Sequence, residues 1–108
     1  MSVRKYTAQL AIAVLLASSS SAMAGEIVIN QVKKKFDQKK VSISKGDSIK
    51  FVNKDKVAHN IYSKSAGRKF DSGVQKPRDT SVFTFSKDGT FKVRCAIHPK
   101  MKLKLKVQ

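Results

Sequence analysis

The sequence predicts an all-β protein, a sandwich or barrel of short strands. Two observations carry that expectation. Apolar residues recur at every second position over short stretches, the period of a half-buried strand, and no stretch holds a convincing helical period of about 3.6 residues. Turn-forming residues also punctuate the chain at short intervals, Asp88-Gly89 being the plainest pair.

Taken in order, the first 24 residues stand apart. Arg4 and Lys5 precede an apolar run at 10–17, small polar residues fill 18–21, and Ala22-Met23-Ala24 offers small side chains where a signal peptidase reads them. The expectation is a secretory signal peptide, residues 1–24, cleaved after Ala24. Its apolar run is too short to cross about 30 Å of hydrocarbon. An uncleaved leader would instead tether the domain. The expected domain is residues 25–108, a monomer in the periplasm with no membrane span in its mature form.

Glu26–Val32 is β-prone and reads as the first strand. Residues 33–40 are basic and polar around Phe36, a loop or an edge. Residues 41–44 alternate as a strand, Lys45-Gly46-Asp47 is a turn, and 48–53 form a strand with Ile49 and Phe51 on one face. Lys54, Asp55 and Lys56 make a polar connection to a short strand at 59–62. Residues 63–79, with Gly67, Gly73 and Pro77, have no clear period and read as a long loop holding one short strand or helical turn. Residues 80–85 alternate again, 86–89 turn, and 90–95 put Phe91, Val93 and Cys95 inward. The last strand, 101–107, puts Leu103, Leu105 and Val107 inward and Lys102, Lys104 and Lys106 outward.

Charge is the strongest compositional signal. The chain has 23 Lys+Arg against 7 Asp+Glu, a net charge of +16. Nucleic acid is the first partner such a balance suggests. The export signal argues against it, and so does the linear spread of the lysines, of which only Lys33, Lys34 and Lys35 form a run.

Size and cysteine usage point to a metal. A domain this short buries only about 60% of its unfolded surface, and small exported domains commonly compensate with disulfides or metals. Cys95 is the single cysteine, so no disulfide can form within the chain. Cys95, His98 and Met101 follow one another closely, and His59 is the other histidine. One thiolate, two imidazoles and a thioether form a soft set that suits copper, and a His₂Cys site with a weak axial Met is an electron-transfer centre. Strand parity supports their convergence. Cys95 ends one strand facing in, Met101 begins the next facing in, and His98 sits in the loop between. His59 shares the parity of Ile61 and joins them if its strand starts at the same end.

These residues resemble the cupredoxin family, the blue copper proteins of plastocyanin, pseudoazurin and amicyanin type. The likeness rests on Gly46-Asp47-Ser48, Phe51-Val52-Asn53, His59-Asn60, Phe70-Asp71-Ser72-Gly73, Phe83-Thr84-Phe85, Gly89-Thr90-Phe91 and Cys95-Ala-Ile-His98-Pro-Lys-Met101. The short gap between His98 and Met101 is most similar to the amicyanin loop. The resemblance implies a Greek-key β-sandwich with one mononuclear type 1 copper held by His59, Cys95, His98 and Met101. It implies that the Asn60 backbone N–H donates to the thiolate and that His98 is the electron exit. Ala96 stands where many relatives carry a hydroxyl for the Asn60 side chain, so Asn60 is expected to find a backbone partner instead.

The function implied is transfer of single electrons between redox partners, with copper handling without redox cycling as the alternative. Four protein ligands leave no vacant position for a substrate, and both histidines are committed, so no enzyme is expected. Ile97, Pro99 and Lys100 surround His98 and would meet an acidic redox partner, a c-type cytochrome or a dehydrogenase, in a transient complex.

Overall fold

Nine strands in two sheets make up the computed structural model, which describes residues 24–65 and 69–108. The expected leader, apart from Ala24, lies outside the described residues. Among them there is no helix, as the sequence predicts.

The strands are β1 (Glu26–Val32), β2 (Lys35–Phe36), β3 (Lys40–Ile43), β4 (Ser48–Asn53), β5 (His59–Ser63), β6 (Phe70–Gln75), β7 (Thr80–Thr84), β8 (Gly89–Cys95) and β9 (Lys102–Val107). One sheet has the order β2-β1-β4-β7 and the other β3-β9-β8-β5-β6. Two pairs are parallel, β1 with β4 and β3 with β9; the rest are antiparallel.

The two sheets bury the alternating apolar residues between them. Ile29, Ile49, Phe51, Ile61, Phe85, Val93 and Leu105 are fully buried. The six phenylalanines form one continuous file of ring contacts, Phe36–Phe51–Phe83–Phe70–Phe85–Phe91, with centroids 4.5 to 6.3 Å apart. Edge-on and tilted pairs at such distances add to the burial itself.

Two segments refine the sequence expectation: 33–40 supplies an edge strand, and 63–79 holds the one short strand allowed there. Residues 33–40 include the short strand β2, which forms a two-residue hairpin with β1 through Lys33 (φ 54°) and Lys34 (φ 60°). Both central residues of such a turn need positive φ, a conformation usually left to Asn and Gly. Beyond the end of β5, the described residues of 63–79 contain one strand, the six-residue edge strand β6, with non-strand residues on either side of it. Its alternation is hidden because Asp71, Ser72 and Gly73 are polar or small, and its pairing with β5 slips between Asn60 and Tyr62.

The connections place one end of the sandwich for chemistry. β5 starts there with His59, β8 ends there with Cys95, and β9 starts just after Met101.

Candidate metal centre

The site grows from that strand phasing. On β5, His59 and Ile61 face inward and are fully buried. On β8, Phe91, Val93 and Cys95 face inward, and Ile61 lies directly opposite Cys95. The β8–β9 loop closes tightly, because the Met101 N–H donates to the His98 carbonyl at 2.9 Å. Met101 itself is buried.

Three donor atoms meet. His59 Nδ1 and His98 Nδ1 are 3.0 Å apart, and Cys95 Sγ lies 3.7 Å from the first and 3.9 Å from the second. A point equidistant from the three lies about 2.1 Å from each, close to the roughly 2.0–2.3 Å of imidazole and thiolate bonds to a divalent metal. The donor set therefore fits a metal ion by distance and a copper ion by softness. Met101, buried and tied through its N–H to the His98 carbonyl, is the candidate fourth ligand.

The surroundings prepare each donor. The Asn60 N–H donates to Cys95 Sγ at 3.3 Å, as the resemblance implies. The Asn60 side chain finds the backbone partner expected, the Gly73 carbonyl, and a carboxylate besides. Its Nδ2 donates to Asp71 Oδ1 at 2.7 Å as well as to the Gly73 carbonyl at 3.0 Å. The carboxylate replaces the hydroxyl that Ala96 cannot supply; Ala96 is exposed in the loop. Asp71 also accepts the Gly73 N–H at 2.8 Å, and these donors hold its carboxyl below the ordinary value.

Asp55 is the residue that sequence reasoning missed. His59 Nε2–H donates to Asp55 Oδ2 at 2.6 Å. That bond fixes the proton on Nε2 and leaves the Nδ1 lone pair aimed at the other donors. The same carboxylate accepts the backbone N–H groups of Lys33 and Lys34, the latter at 2.8 Å. Burial alone would push the Asp55 pKa up. The Lys34 N–H, the His59 ring and the Lys33 N–H outweigh that and hold it below the ordinary value.

Asp55 is in turn held by buried Asn53, whose Oδ1 accepts the Asp55 N–H at 2.9 Å and whose Nδ2 donates to the Val57 and Gln75 carbonyls. Gln75 continues the chain, accepting from Gln31 Nε2 at 2.7 Å and donating to Ser81. The visible signal was an acid four residues before His59. Nothing local told that it would face the hairpin of another strand.

His98 is half-buried, with Ile97, Pro99 and Lys100 exposed around it. Its burial, followed by repulsion from His59 and Lys34, holds the imidazole below its ordinary pKa, so the neutral, metal-binding form is favoured.

Comparison with known proteins agrees with this arrangement. The profile of the family described as copper binding proteins, plastocyanin/azurin family, matches residues 23–108. The chain is 32% identical over 97 residues to amicyanin-alpha of Methylorubrum extorquens, covering 86% of this chain and 81% of that protein. It is 26% identical over 88 residues to amicyanin of Paracoccus denitrificans, covering 78% of this chain and 66% of that one. Among solved structures it superposes on a purple cupredoxin from Nitrosopumilus maritimus with a TM-score of 0.68 at 22% identity, covering 76% of this chain and 99% of that one. It also superposes on a copper-containing nitrite reductase from Thermus scotoductus with a TM-score of 0.71 at 24% identity, covering 76% of this chain but only 22% of that enzyme.

Proposed function

Because the chain belongs to the plastocyanin/azurin family of copper-binding proteins, we propose that it is a small carrier of single electrons. One copper ion would be held by His59, Cys95, His98 and Met101. When bound, copper supplies the one-electron couple, Cu(I)/Cu(II).

The side chains supply everything else. Cys95 contributes the thiolate, and the Asn60 N–H draws electron density from its sulfur. His59 is locked in one tautomer by Asp55. Met101 contributes a weak thioether contact that tunes potential. A donor set held rigid by packing and hydrogen bonds changes little between oxidation states, so little reorganisation opposes transfer. Four protein ligands would leave no position for a substrate, which favours a carrier over an enzyme. His98 is the ligand nearest solvent, and Ile97 and Pro99 give it an apolar collar suited to a brief encounter.

The proposed setting is the periplasm, reached through a leader cleaved after Ala24. Cleavage there would turn the Gly25 amide, which donates to Asp47 Oδ1 at 2.9 Å, into an ammonium facing that carboxylate. The proposed partner is an acidic redox protein, a c-type cytochrome or a dehydrogenase, meeting a monomer transiently.

The observation that carries this reading is the meeting of His59 Nδ1, His98 Nδ1 and Cys95 Sγ within 3.9 Å. The test is a visible spectrum after adding Cu(II), beside Cys95→Ala. An intense blue band, bleached by ascorbate, restored by oxidant and absent from the variant, is the expected result. A colourless protein that still binds copper would replace the carrier with a copper-handling protein.

A further inference from the structure

The lysines that look scattered along the chain are gathered by the strand register. The outer face of the β3-β9-β8-β5-β6 sheet carries Lys40, Lys92, Arg94, Lys102, Lys104 and Lys106 on its first three strands. The register sets like charges directly opposite one another: Lys92 faces Lys104, Arg94 faces Lys102, and Lys40 faces Lys104 from the other side. Like charges so placed destabilise a sheet. Among the described residues none of these six has an acidic partner. The one acid on this face, Asp71, stands on the far edge strand β6. The outer face of the other sheet is different in kind. It carries Lys35 and Lys50 with Glu26 among Val28, Asn30, Val32, Ser48, Thr80, Val82 and Thr84.

The face is also shaped. Two hollows, of about 510 and 310 Å³, flank the ridge made by Lys92 and Arg94, and Lys39 and Lys100 extend the basic lining of the larger one towards the ligand loop. Arg94 is half-buried on the ridge, and its Nε is shielded from solvent with no acceptor among the described residues. The fold gains nothing from this arrangement. An arriving set of carboxylates would neutralise it.

We infer that this face is the docking surface for an acidic protein partner. The chemistry separates that occupant from the other polyanions. A lipid surface is held best when basic residues are joined by apolar side chains that insert. None of the exposed large apolar residues, Val28, Val32, Val57, Val74, Val82 and Ile97, lies on this stretch. A nucleic acid strand would want a row of aromatic rings to stack on, and only half-buried Tyr62 borders the ridge. From Lys102 to Lys106 the face runs roughly 13 Å along β9, a footprint in keeping with a transient complex. The inference deepens the carrier reading by saying where its acidic partner sits, but the charge pattern stands without copper.

The test compares two variants of equal charge change. Lys102→Glu/Lys104→Glu alters the face; Lys76→Glu/Lys87→Glu alters exposed loops away from it. The probe is poly-L-glutamate, titrated into the nitrogen-15-labelled protein as purified, so that the result is read whether or not a blue site forms. The expected outcome is a loss of affinity of about tenfold or more for the face variant and less than about threefold for the loop variant, with amide shifts confined to β3, β8, β9 and the residues around Lys39 and Lys100. Thermal unfolding of the face variant at or above the parent's temperature excludes a folding defect. Equal losses in the two variants would overturn the inference, because net charge alone would then explain binding. So would tight binding to phosphatidylglycerol vesicles with none to poly-L-glutamate, because the occupant would then be a membrane.

Discussion

Asp55 gathers three donors on one carboxylate: the His59 ring at 2.6 Å and the N–H groups of Lys33 and Lys34. The hairpin needs an acceptor there, because its two central lysines hold a positive-φ turn whose N–H groups both point at Asp55. His59 needs the same acceptor to keep its Nδ1 free. One residue thus ties the edge of the first sheet to a ligand on the second. Asp55→Asn keeps the shape and removes the charge. Copper affinity should fall roughly 10–100-fold. The reduction potential should rise, because a lost negative charge near the metal disfavours Cu(II) more than Cu(I). Voltammetry of the loaded variant reads the potential directly, and a purely structural role for Asp55 would leave it unmoved.

At the scale of elements, carboxylates act as clamps between strands. Asp47 closes the β3–β4 turn by accepting the Ser44 N–H at 2.9 Å and reaches β1 through Gly25. Asp71 joins β6 to Asn60 on β5. The Gly25 and Ser44 N–H groups hold the Asp47 carboxyl below its ordinary 3.8, and the Gly73 N–H and Asn60 side chain do the same for Asp71. A group whose folded pKa is depressed stabilises the fold above its unfolded value, and that contribution is lost as pH falls through the folded value. Asp47→Asn should therefore be less stable than the parent at neutral pH, and the gap should shrink as pH falls below 3.8. Urea unfolding at several pH values reads this; a gap independent of pH would mean that the turn geometry, not the charge, matters.

The same elements explain what the sequence could tell. β8 and β9 were legible because both alternate strictly, and that phasing alone brings Cys95 and Met101 to one end facing inward. β6 was legible only as one short strand or helical turn somewhere in 63–79, because an edge strand facing solvent on much of its length needs no apolar alternation. Asp55 reads from the sequence only as part of a polar connection, for a similar reason. Its partners on the hairpin lie 21 and 22 residues away, a distance that no local pattern reports.

Over the whole molecule the decisive fact is that linear spread is not spatial spread. Every second residue of β9 is a lysine, and antiparallel pairing with β8 sets Lys104 against Lys92 and Lys102 against Arg94. A strongly basic sequence thereby becomes a two-faced domain, with repulsion concentrated on one sheet. Ordinary surface ion pairs make a protein less stable as salt is added. Here the balance is reversed, because the interactions screened on this face are repulsive. The Debye length falls from about 30 Å at 0.01 M salt to about 10 Å at 0.1 M, which weakens the repulsion between cations on neighbouring strands only in part but removes that from the remainder of the face. Thermal unfolding of the parent should rise as sodium chloride is raised over that range. Lys104→Glu puts an anion between Lys92 and Lys40, turning two repulsive pairs into attractive ones, each worth about 0.2–1 kcal/mol. The variant should be more stable than the parent at low salt, and its unfolding temperature should rise less with salt or fall. If salt lowers the stability of both alike, the cross-strand cations are too well solvated to repel, and the docking face loses its energetic rationale.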